Sequence, residues 1–75
     1  GKAVDIAKGA LHWMFYNTPC LKIITHVPSF NALARRLSER CGMKLIGNNE
    51  SSFLKGGVLY DQFIYGISKE ELCQQ

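Results

Sequence analysis

NALARRLSERCGMKLIG, residues 31–47, is the stretch on which the fold turns. Leu33, Ala34, Leu37 and Cys41 recur at helical spacing, and Phe30 joins them on the same side. Either Ser29 or Asn31 can cap the start, because both side chains accept from a backbone N–H of the first turn. Gly42 falls where a left-handed residue closes a helix. The spacing therefore predicts a helix over 30–41, followed by a short strand over 43–47. Arg35, Arg36 and Arg40 share this helix. A charge run of this kind reads first as a solvated face, although guanidinium also suits phosphate oxygens.

Upstream, LKIITHV over 21–27 is β-branched and short, hence a strand, broken by Pro28 and Ser29. Before it, Ala3, Ile6, Ala7, Ala10, Leu11, Met14 and Phe15 predict an amphipathic helix over 2–16, stopped by Asn17, Thr18 and Pro19. Downstream, residues 48–57 are polar and end in Lys55-Gly56-Gly57, which reads as a connection and turn. Residues 58–68 form a long strand with bulky side chains on both faces, the pattern of a central strand. The tail from Lys69 predicts a frayed helical turn. The order is α-β-α-β-β in one unit, with no repeats and no internal linker.

Composition narrows the function. Seventy-five residues with 47% apolar and 20% charged content make one ordered unit with a modest core. The net charge of +3 suits an anionic ligand but lacks the dense basic footprint of a nucleic-acid binder. The aromatic residues lie on apolar strand positions rather than between Arg and Lys, which argues against a stacking platform for bases. Apolar runs are short and broken by Lys, His or Gly, so no membrane span is expected. Cys20, Cys41 and Cys73 are far apart and His12 and His26 are isolated, so neither a zinc site nor any other metal site is expected. An odd cysteine count without a secretory pattern favours reduced thiols and a cytoplasmic setting. Gly rather than Met at position 1 suggests a piece of a longer chain.

The run Asn31-x-x-Ala34-x-x-Leu37-x-Glu39-Arg40-Cys41-Gly42-Met43, then Gly47, Gly56-Gly57 and Asp61, ending in Ser68-Lys69-Glu70-Glu71, resembles the closing half of the GNAT superfamily of acyl-CoA N-acyltransferases. The likeness is greatest to the branch that acetylates ribosomal-protein N-termini. Gly1-Lys2-Ala3 matches the end of that family's Gly-rich pyrophosphate loop. The resemblance implies an α+β fold with an α/β-like crossover: a three-stranded mixed sheet with the last strand central, residues 1–75 being the C-terminal portion of the domain and its N-terminal half absent. It implies acetyl-CoA as cosubstrate, bound through Gly1, Lys2, Ala3, Asn31 and Arg36, and an amine or peptide N-terminus as acceptor in a longer parent. Many members carry a Tyr seven residues after the helix-head Asn; this chain has Ser38 there, a poor general acid at neutral pH and by position a surface helix residue. Tyr60 and Tyr65 are alternatives by residue type only.

Three readings follow. The chain is part of an N-acetyltransferase, inactive alone; or it is a non-catalytic module derived from that fold, used for protein interaction or self-association; or, least in keeping with the aromatic pattern, it is a small basic nucleic-acid binder. In the implied fold the strand over 21–27 has an open outer edge, which predicts a homo-oligomer through that edge or the first helix.

Overall fold

A computed structural model describes residues 1–74. Helix α1 (Lys2–Asn17) leads to strand β1 (Lys22–Pro28), helix α2 (Ala32–Arg40), strands β2 (Lys44–Lys55) and β3 (Val58–Ser68), and the short helix α3 (Lys69–Cys73). The ends of α2 follow from its sequence. Asn31 Oδ1 accepts the Ala34 N–H at 3.1 Å, which decides the cap in favour of Asn31 over Ser29. Gly42 has φ +87°. Gly42 N–H donates to Glu39 O and Met43 N–H to Ser38 O, both at 3.0 Å, a paired closure that satisfies two carbonyls of the last turn. Ser68 and Glu71 cap α3 reciprocally: the Ser68 hydroxyl accepts the Glu71 N–H at 3.0 Å, and Glu71 Oε1 accepts the Ser68 N–H at 2.9 Å.

The sheet order is β1-β3-β2. The last strand is central, as its two-faced apolar pattern requires. It pairs antiparallel with both neighbours, Ile23 opposite Ile67 and Thr25 opposite Tyr65 on one side, Leu45 opposite Tyr65 on the other. β1 and β2 run parallel to each other without touching, so the expected mixed sheet has only antiparallel pairings.

One expectation needs correction. Residues 48–55 are not a connection; they continue β2 to Lys55, and the hairpin turns at Gly56 (φ +57°) and Gly57 (φ +77°). The ladder shifts register between Leu45 and Gly47 and between Asn49 and Phe53. These bulges break the period-two pattern by which a strand is read; pairing with β3 overrides the low strand preference of Asn48 and Asn49, and Ser51 and Ser52 lie within the second bulge.

A single core gathers Leu11 and Phe15 of α1, Val27 of β1, Cys41 and Met43 after α2, Tyr65 and Ile67 of β3, and Leu72 of α3. Side chains alternate across a strand, so Val27, Tyr65 and Ile67 place this core and both long helices on one face of the sheet. On the other face Ile24 and Ile46 remain 53% and 48% exposed, and no helix among the described residues covers them. The outer edge of β1 likewise has no strand partner among the described residues.

Candidate functional site

The start of α1 and the exposed flank of α2 enclose a groove of about 580 Å³. Gly1, Lys2, Ala3 and Val4 form one wall; Asn31, Leu33, Ala34, Arg36, Leu37 and Arg40 form the other. All five residues the sequence nominates for coenzyme binding, Gly1, Lys2, Ala3, Asn31 and Arg36, therefore line one cavity. The α1 start has no side-chain cap. The N–H groups of a helix's first turn lack intrahelical partners and carry the positive end of the dipole, so this end of the groove favours an anion. Lys2, Arg36 and Arg40 add cationic side chains. Arg40 was legible in principle: four residues from Arg36, it shares that residue's side of the helix.

Asn31 uses its carbonyl oxygen as the cap of α2, which leaves the NH2 of the same amide as the donor available to a ligand in the groove. Capping and ligand binding are thus compatible roles of one side chain.

Arg35 lies elsewhere. Its guanidinium carbon stands 4.4 Å from the centroid of the Phe63 ring, and its Nε is buried without a hydrogen-bond partner. The half-buried cation sits on the face of an aromatic ring of the sheet and does not line the groove. The adjacent Arg35 and Arg36 have different surroundings because successive helix positions are about 100° apart.

Ser38 is also corrected. It is 8% exposed, a buried residue rather than a surface one, and its Oγ donates to the Ala34 carbonyl at 3.0 Å. A serine hydroxyl that donates back to its own helix has its proton engaged there. It lines a second, smaller recess of about 250 Å³ between α1, α2 and β1.

The tyrosines serve as packing. Tyr65 is 1% exposed with its hydroxyl donating to Glu39 Oε2 at 3.2 Å, and Tyr60 meets the Phe30 ring edge-on at 4.8 Å. Burial pushes the Cys41 thiol above its ordinary range, with the Lys8 ammonium pulling in the opposite direction, so Cys41 is no activated nucleophile. His12 stacks on Tyr16 at 5.5 Å between ring centroids. No group of three or more His, Cys, Asp or Glu among the described residues could hold a metal ion. None of the described helices is long and apolar enough to cross a membrane.

Asp61, which the sequence pattern singles out, belongs to the β2–β3 hairpin. Its carboxylate accepts the Ser51 N–H at 2.9 Å and the Asn48 Nδ2–H at 3.2 Å. The Ser51 N–H, and after it the Asn48 amide, hold the Asp61 carboxyl below the usual carboxylate range.

No protein-family model and no curated protein matches the sequence. Solved structures do match the fold. A GNAT-family acetyltransferase from Bacillus anthracis superposes with a TM-score of 0.83 at 26% identity, over 93% of this chain and 42% of that one. A spermidine N-acetyltransferase SpeG chimera from Vibrio cholerae and hSSAT also gives 0.83, at 27% identity over 97% of this chain and 44% of that one. The chain has the fold of part of a GNAT acyl-CoA N-acyltransferase and spans less than half the length of the solved structures it matches.

Proposed function

We propose that residues 1–75 are the C-terminal portion of a GNAT N-acetyltransferase domain and supply its coenzyme A-binding half. The observation that carries this reading is the convergence of Gly1, Lys2, Ala3, Asn31 and Arg36 on one groove. In it, Lys2, Arg36 and the open first turn of α1 meet phosphates, and the Asn31 amide meets the pantetheine arm. Acetyl-CoA, when bound, supplies the activated acyl group. This chain's residues hold and orient that group; they do not move a proton. The Ser38 hydroxyl is tied to Ala34 O, and Tyr65 is packed against Glu39.

Acetyl transfer to an amine or peptide N-terminus then belongs to a longer cytoplasmic parent. Positioning of acceptor against thioester is worth roughly 7–11 kcal/mol in favourable cases, and no groove residue here provides an acceptor seat. A thiol-release assay with acetyl-CoA and a panel of amines and peptides tests this. These 75 residues are expected to give no turnover above the uncatalysed rate. Turnover that disappears in Asn31→Ala would establish the chain as an enzyme in its own right.

The second reading, a non-catalytic self-associating module, is favoured by the uncovered Ile24 and Ile46 and by the unpaired edge of β1. A homo-oligomer through that edge is compatible with either reading.

A further inference from the structure

A second recess opens behind the groove. It lies where α1, α2 and β1 come together, walled by Ala7, Ala10, Leu11, Ile23, Ser38 and Met43. Leu37 lines both spaces, so the recess succeeds the cationic groove along the same pair of helices. The one hydroxyl of α2 in its wall, Ser38, is already bonded to Ala34 O. The Cys41 thiol beside it is held protonated by its burial. Thr25 of β1 adds one more hydroxyl to the wall; the rest of the lining is apolar, and three small side chains, Ala7, Ala10 and Ser38, leave the room. A cationic groove leading into an apolar recess fits a ligand with an anionic head and a hydrocarbon tail.

We infer that this recess seats the hydrocarbon chain of an acyl-CoA longer than acetyl, an inference that rests on the groove being the coenzyme A site. A closed cavity of about 150 Å³ holds a benzene ring, so an open recess of about 250 Å³ has room for a chain of medium length, on the order of eight carbons. Acyl-chain length, rather than the amine alone, is then read by the small residues at positions 7, 10 and 38.

The test is a calorimetric titration of the chain with coenzyme A and with its acetyl, hexanoyl, octanoyl and palmitoyl thioesters. Affinity is expected to rise by at least about tenfold from acetyl to octanoyl and to level off beyond it, since each buried methylene contributes until the space is full. Ala10→Leu and Ser38→Leu, each checked for folding by circular dichroism, should abolish the octanoyl advantage. Equal affinity for acetyl and octanoyl thioesters overturns the inference while leaving the coenzyme A reading intact. A rise continuing through palmitoyl, or an octanoyl advantage that survives in both variants, places the tail on the open sheet face and also overturns it. Failure of coenzyme A and acetyl-CoA to bind at all removes the proposed function and this inference with it.

Discussion

The Asp61 carboxylate accepts the backbone N–H of Ser51 at 2.9 Å, and Ser51 is the one non-glycine residue among those described with a left-handed backbone, at φ +47°. Together with the Asn48 amide, this contact closes the irregular segment of β2 between Asn49 and Phe53, beyond which Phe53 pairs with Tyr60 again. Asp61 therefore holds the hairpin together.

Asp61→Ala should lower the urea midpoint at pH 7, and the hairpin amides of residues 48–53 should lose hydrogen-exchange protection. The pH dependence follows from the direction of the shift. A carboxyl held lower in the folded chain than in the unfolded one stabilises fully above its unfolded value, about 3.9, and loses that contribution as pH falls through the folded value. The gap between wild type and Asp61→Ala should thus be full at pH 6 and close in strong acid. Urea titrations at both pH values measure it. A gap independent of pH would show that the carboxylate is not what holds the bulge.

Asn31 can be separated into its two roles. Asn31→Ala removes the cap and should cost about 1 kcal/mol of stability. Asn31→Asp keeps an acceptor for the Ala34 N–H but replaces the amide donor with a negative charge beside the proposed phosphate seat. It should match wild type in unfolding experiments and bind coenzyme A more weakly. Unfolding and binding that fall together in both variants would reduce Asn31 to a cap.

Assembly is the third expectation. An unpaired strand edge templates pairing with another chain, and small cores are often completed by association. Sedimentation should find a dimer through β1 or α1, and a dimer through β1 should be weakened by Ile24→Lys on that strand's open face. A monodisperse monomer at high concentration would count against association by either surface.

How far the sequence predicts the molecule depends on how local each determinant is. β3 is legible over its full length, Val58–Ser68, because bulky apolar residues occupy both faces on either side of Asp61-Gln62 and a glycine pair marks the turn before it. The second half of β2 is hidden because its polar residues take strand geometry only from pairing with β3 and from the Asp61 clamp. The groove residues are nominated by a resemblance in order and spacing, and the fold brings all five together. Arg35 and Ser38 are misread for a common reason: each environment is set by a neighbour distant in sequence or by helix phase, Phe63 for one and the α1–α2 seam for the other. For Arg35 nothing within a few residues signals it, whereas Ser38, four residues after Ala34 and three before Cys41, lies on the apolar stripe of its helix.

The central claim is that the groove between the start of α1 and the flank of α2 holds coenzyme A, and the most direct measurement is a titration of coenzyme A into the isotopically labelled chain, followed by amide chemical shifts. Saturable shifts are expected at Ala3, Val4, Asn31 and Arg36, weakening with added salt as phosphate contacts do, together with an affinity loss of at least about tenfold in Arg36→Glu. Shifts confined to the open sheet face around Ile24 and Ile46, or an Arg36→Glu variant that binds as wild type does, would contradict it.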